Sequence, residues 1–303
     1  MSDGLLAKKR GNYKNLKMGE RLMKKRYFET KKLKGFEVYL REEERSDATI
    51  EKYLRDVRCF AAFAQGTEIT KERVLAYKSK LAQSYAITSA NSMIAALNCF
   101  LRFCGWHDLC IKQFKVQRQA YCSEERELSR TEYFRLLRAA NQKKDQRLAL
   151  ILQTICATGI RVSELQFVTV EAVKQGEAMV RCKGKNRRIF IVPELKKKLL
   201  RYIKEQRISQ GAVFVTKTGK PISRNRIWRE MKLLCAAADV MPGKVFPHNL
   251  RHLFARTFYA IEKDIAKLAD ILGHASINTT RIYMITTGQE HKRKMQQMRL
   301  ILS

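Results

Sequence analysis

The sequence predicts a mainly α protein in two domains, with a small β-sheet in the second. Three observations point there. Apolar residues recur at helical spacing over most of the 303 residues. A polar stretch near residue 120, poor in aliphatics, separates two such regions, and the length suits two ordinary domains. Two β-type runs, AMVRC and RIFIV, lie on either side of KGKN, so residues 178–192 read as a hairpin.

Residues 1–30 are basic and punctuated by glycine, as expected of a solvated tail or of an arm that follows phosphates. Residues 31–117 carry four amphipathic helices that form a small bundle. Leu33, Phe36, Tyr39 and Leu40 mark the first. Ser46 or Asp47 caps the second, whose apolar face runs from Ile50 through Tyr53, Leu54, Val57, Phe60 and Ala61 to Ala64. Val74, Tyr77 and Leu81 mark the third. Thr88 caps the fourth, with Ile94, Leu97, Phe100, Leu101 and Cys104 inside and Gly105 closing it. Lys71, Arg73, Lys78 and Lys80 along the third helix read either as a wet face or as phosphate contacts.

Residues 118–127 are expected to be a linker, and residues 128–303 the second domain. Ser129 and Glu132 match a capping box. The run LALILQTICATG reads as a buried helix ending at Gly159, with Arg161 in the turn that follows. An arginine so close to an apolar helix needs an anionic partner, either Glu164 or a ligand. Glu194–Ile208 is a basic helix, AVFVT a short strand, TKTGKP a turn, and Ser223–Ala238 a further helix whose Arg224 and Arg226 face phosphate or water. Pro247 opens the next helix, where His248 and Arg251 share a face. Ile265, Leu268, Ala269 and Leu272 have helical spacing, and Gly273 stops that helix. Ser276 caps a last helix that carries Tyr283 about 10 Å beyond the cap. Residues 288–303 are basic and amphipathic, with Met295, Met298 and Ile301 or Leu302 on the apolar side.

Charge narrows the partner. Lys plus Arg number 61 against 29 Asp plus Glu, a net charge of +32, which points to a polyanion. Charge alone does not separate DNA from RNA or an anionic membrane. No apolar run approaches the roughly 18 residues of a membrane span, and the N-terminus lacks the apolar core of a signal peptide. A cytoplasmic, nucleoid-associated protein with no membrane partner is expected. None of the eight cysteines forms a Cys-x-x-Cys pair, so core-filling thiols are expected rather than zinc ligands. His248 and His252 are four apart, but Asn249 stands where a metalloprotease helix needs glutamate. No metal or cofactor is expected.

Arginine, histidine and tyrosine together suit phosphodiester chemistry: a fork of donors, a proton carrier and a hydroxyl nucleophile. His248-x-x-Arg251, then Leu272-Gly273-His274, then Tyr283 nine residues after that histidine, occur once and in this order. With ATGIRVSEL around Arg161, they resemble the boxes of the tyrosine recombinases, or phage integrases, over roughly residues 30–303. KGKNRR resembles the family's Lys-Gly-x-x-x-Arg pattern, which selects Lys183, with Lys185 as the alternative.

The resemblance implies an N-terminal four-helix, SAM-like core-binding domain and a C-terminal α+β catalytic domain, closing as a C-shaped clamp on double-stranded DNA. It implies that Tyr283 attacks the scissile phosphate and forms a 3′-phosphotyrosyl link. Arg161 and Arg251 would hold the phosphate, and His274 would donate a further hydrogen bond. His248 would accept the tyrosine proton, and Lys183 would protonate the leaving 5′ oxygen. Strand exchange through a Holliday junction is expected within a homo-tetramer linked by exchange of the C-terminal tail, with accessory DNA-bending or excision factors. A mobile-element integrase or transposase is the first expectation and a Xer-like resolvase of chromosome or plasmid dimers the second. Relaxation of the topoisomerase IB type and non-enzymatic DNA binding are the rivals; a generic RNA-binding protein would explain the charge but not the boxes.

Overall fold

The structure is a computed structural model and describes residues 25–116, 127–182, 185–216, 218–284 and 295–298. The chain divides into two compact units, Met1–Arg118 and Gln119–Ser303.

The first unit contains α1 (Thr30–Glu42), α2 (Asp47–Ala64), α3 (Lys71–Ser84) and α4 (Ile87–Phe103). Their apolar stripes meet in two adjoining clusters, one around Phe36, Leu54 and Phe100, the other around Phe60, Tyr77 and Leu97. Each such side chain buried contributes roughly 1.5–3 kcal/mol. Phe36 meets Phe100 edge-on at 5.3 Å, a preferred aromatic geometry. Val74, Tyr77 and Leu81 are the buried residues of α3, as their spacing predicts. The cap of α4 differs from expectation: its N-cap is Ala86 and Thr88 lies inside the helix.

The basic residues of α3 make contacts within the first unit while Lys71 and Lys80 stay exposed. Lys71 donates to the Asp108 and Cys110 carbonyls and Lys78 to the Lys112 carbonyl. The guanidinium of Arg73 lies over Phe63. These bonds fasten the extended segment that follows α4. Two asparagines seven residues apart complete the fastening. Asn98 donates to the Ile111 carbonyl and accepts from its N–H, at 2.7 and 3.0 Å. Asn91 does the same for Phe114, at 2.9 and 2.7 Å. Each side-chain amide thus replaces a missing neighbouring strand.

The second unit contains α5 (Arg130–Gln142), α6 (Gln146–Thr158), a 3-10 turn (Val162–Phe167), α7 (Val170–Gln175), strands β1 (Glu177–Cys182) and β2 (Lys185–Phe190), and α8 (Pro193–Glu205). Then come α9 (Arg224–Lys232), α10 (Cys235–Ala238), α11 (Pro247–Glu262), α12 (Ile265–Leu272), α13 (Ile277–Arg281) and a 3-10 turn (Ile282–Met284). The capping box forms at α5: Ser129 Oγ accepts from the Glu132 N–H and Glu132 accepts from the Ser129 N–H. Helix α6 is apolar nearly all round and therefore runs through the core, with α5, α8 and α11 packed on it. β1 and β2 pair antiparallel, with Val180 opposite Arg187 and Ala178 opposite Ile189.

Two expectations are corrected here. AVFVT is not a strand: Ala212 and Val215 make only isolated bridges to Thr169 and Pro221. Val213 and Phe214 are buried all the same, so the apolar run reflects core insertion, not sheet pairing. Residues 223–238 are two helices, α9 and α10, parted by a turn at Leu233 and Leu234 where the Leu233 carbonyl accepts from Lys143 Nζ at 2.7 Å. The linker lies largely outside the described residues, and the basic tail nearly so. Only Met295–Met298 of the C-terminal segment are described, as an exposed helical turn. Among the described residues, no helix is long and apolar enough to cross a membrane.

Candidate active site

Gly159 closes α6 with φ +63, a left-handed conformation that glycine adopts freely. A Cβ there would come within 2.5 Å of the Phe254 ring. The chain can therefore turn tightly and place Arg161 beside α11. Pro247 starts α11 as expected, and His248, Arg251, His252 and Ala255 follow one face of it. Gly273, at φ +64, ends α12 and delivers His274. Ser276 caps α13, accepting from the Asn278 N–H. That helix has only five residues, and the 3-10 turn after it folds Tyr283 inward. The expected longer helix, lifting Tyr283 away from its cap, is replaced by this turn.

Arg251 is the centre. Its side chain is among the largest fully buried in the protein, at 1% exposure. Nη1 donates to the Gly159 carbonyl (2.5 Å) and Nη2 to the Leu272 carbonyl (2.8 Å). Nη2 also lies 3.0 Å from His274 Nε2. A guanidinium has no acceptor, so Nε2 must accept, which leaves the His274 proton on Nδ1, donated to Thr280 Oγ1 at 2.9 Å. Arg251 Nε is buried with no hydrogen-bond partner among the described residues, a costly state that an anionic ligand would relieve.

Tyr283 is buried at 4% exposure against Ala255, Leu268 and Leu272. Its ring lies parallel to His274 at 5.6 Å, edge-on to His252 at 4.4 Å, and 5.9 Å from His248. Burial and the neighbouring Arg161 lower Arg251 to about 10, while the nearby Tyr283 hydroxyl acts the other way. Burial lowers His252 to about 4, with His248 and Arg251 adding to it. His274 also falls to about 4, through burial first and then Arg251, Arg161 and Arg187. His248, at the exposed rim, shifts down through burial of its ring first and then Arg251 and Arg161.

Arg161 is half-exposed and opens, with His248, Arg251, Arg224 and Trp228, onto a cleft of about 460 Å³. Arg161 pairs with Glu164 at 2.9 Å, the first of its two alternatives, and also lines the cleft. Five of the six sequence-selected residues, Arg161, His248, Arg251, His274 and Tyr283, therefore gather at one place. Lys183 lies outside the described residues. Lys185 opens β2. His252 belongs to the same ring cluster, and no group of three or more metal-ligating side chains occurs among the described residues.

Sequence reasoning missed Arg187. It faces inward from β2 and grips Glu164 with both Nη atoms, at 2.9 and 2.6 Å. Arg188, which completes the Lys-Gly-x-x-x-Arg pattern, points outward to Glu177. The period of two was the available signal: Arg187 lies two residues from buried Ile189 and so shares its inward face, and a buried arginine requires an acid.

The model described as "Phage integrase family" matches residues 126–290, more than half of the chain. The chain belongs to the phage integrase family. A second model, "Phage integrase, N-terminal SAM-like domain", matches residues 33–107 of this recombinase. Tyrosine recombinase XerA of Pyrococcus furiosus is 28% identical, over 92% of this chain and 98% of its own. Tyrosine recombinase XerD of Halalkalibacterium halodurans is 30% identical, over 80% of this chain and 88% of its own. Lambda integrase has the same fold at 17–18% identity. Its dimer bound to a COC′ core site aligns with TM-score 0.69 over 85% of this chain and 95% of that one. Its tetramer bound to a Holliday junction aligns with TM-score 0.68 over 86% and 78%. The protein is thus a tyrosine-type site-specific recombinase with a SAM-like N-terminal domain and a mainly helical catalytic domain.

Proposed function

We propose that this recombinase cuts and rejoins double-stranded DNA through a 3′-phosphotyrosyl link on Tyr283. The observation that carries this is the enclosure of Tyr283 beside Arg251 and His274 of its own chain. Arg161 and Arg251 grip the scissile phosphate, and the unpartnered Arg251 Nε supplies a free donor. His248 is neutral near pH 7 and accepts the tyrosine proton. The arriving negative charge draws Arg251 off His274 and favours its protonation, so that Nε2 can donate to the phosphate. Lys183 protonates the departing 5′ oxygen. The bond energy stays in the covalent link, and a 5′ hydroxyl from the partner duplex reverses the step.

We place the reaction in a homo-tetramer on a Holliday junction, linked by the C-terminal tails and aided by accessory factors. The residue bounds 1–30, 31–117, 118–127 and 128–303 serve as tail, DNA-binding domain, linker and catalytic domain. The large positive charge favours a mobile-element integrase or transposase. Similarity to XerA over nearly the full length of both chains favours a second role, resolution of chromosome or plasmid dimers. Deleting the gene separates them: circular excision products vanish in the first case, and chromosome dimers accumulate in the second. The chemistry is tested with a nicked suicide duplex. A denaturation-resistant protein–DNA adduct is expected from the parent and none from Tyr283→Phe; an adduct that survives that substitution refutes the assignment.

A further inference from the structure

We propose that Arg187 is a positioning residue for strand cleavage: it shares the Glu164 carboxylate with Arg161, so that Arg161 stays available to the phosphate, and it props the turn that presents His274. This rests on the cleavage reaction proposed above. Glu164 is buried and receives four donors. Oε1 accepts from Arg161 Nη1 and Arg187 Nη1, and Oε2 from the Arg161 N–H and Arg187 Nη2, all between 2.6 and 2.9 Å. A buried carboxylate with one guanidinium partner would hold it as a tight ion pair. With two partners, its charge is divided and each is held less. Burial raises the Glu164 carboxyl, but the bonds from Arg187 and Arg161 outweigh it and hold the group below its ordinary range.

The second contact is steric. A Cβ on Gly273 would lie 2.6 Å from Arg187 Cδ and 3.1 Å from its Nη1. Arg187 therefore packs directly beneath the turn between Leu272, whose carbonyl binds Arg251, and His274, whose Nε2 faces the same guanidinium. One side chain on β2 thus touches the Arg161 turn and the His274 turn together. The strand that holds it is also the one that follows Lys183 in sequence.

The test compares R187M, R187K and the double variant R187M/E164Q with the parent. The probe is a nicked duplex bearing the sequence that the protein enriches from a random duplex pool. Adduct formation is followed in single turnover at saturating protein, well below each variant's melting temperature. R187M is expected to cleave about 100-fold more slowly, with DNA affinity within threefold of the parent. R187K should lie between the two, because it keeps the charge but not the two-pronged grip. Removing the orphaned charge in R187M/E164Q should recover at least tenfold of the lost rate, since glutamine no longer sequesters Arg161. R187M cleaving within threefold of the parent would overturn the proposal, as would a double variant that melts like the parent yet recovers no rate. A parent that traps no adduct would overturn the cleavage reaction itself and this proposal with it.

Discussion

At the scale of the residue, the site is defined by groups held away from their ordinary state. His252 is neutral in the fold and lowered to about 4 by burial, against about 6.5 in an unfolded chain. Its folded value is depressed, so its contribution to stability is complete above about pH 6.5 and is lost as pH falls toward 4. His252→Phe keeps an aromatic wall beside Tyr283 without the titration. The melting temperature of that variant is expected to fall less than the parent's between pH 6.5 and 4.5. An equal fall in calorimetry would show that His252 carries none of the acid sensitivity. Arg251→Lys removes the planar fork that spans the Gly159 and Leu272 carbonyls. Single-turnover cleavage should drop by about 100- to 1000-fold, the loss typical of one oxyanion donor.

At the scale of the element, short turns matter more than long helices. Gly159→Ala would drive a methyl into Phe254 at a left-handed position. A loss of about 1–3 kcal/mol is expected, read as a lower midpoint in urea. Asn98→Ala strips both bonds from the Ile111 peptide and is expected to cost about 1–3 kcal/mol in the same measurement.

These elements also show what the sequence could tell. The ordered boxes placed Arg161, His248, Arg251, His274 and Tyr283, because each sits at a helix start, a glycine stop or a fixed offset from one. The Ser129 cap and the apolar faces of α2 and α3 were legible for the same reason: their signals are local. Arg187 was not, because its partner Glu164 lies 23 residues away and the family pattern drew attention to Arg188 instead. AVFVT was misread because burial and strand pairing leave the same apolar run. The carbonyl contacts of Lys71 and Lys78 were not legible, because their acceptors lie in a later segment that no spacing rule announces.

At the scale of the whole molecule, charge governs encounter with DNA. Affinity should fall with salt at a log–log slope of about −0.9 per phosphate neutralised. Residues 1–24 hold seven of the 61 basic side chains. If that segment is a solvated tail, deleting it leaves the slope within about one unit in a salt titration; a loss of four or more would make it a phosphate-tracking arm. The enclosure of Tyr283 bears on the fate of the cut strand. A phenol walled by two imidazoles and three aliphatic side chains leaves water little approach to an ester formed there. If Tyr283 carries the ester proposed above, hydrolysis would leave a broken strand, whereas a sheltered ester can wait for the correct hydroxyl to arrive.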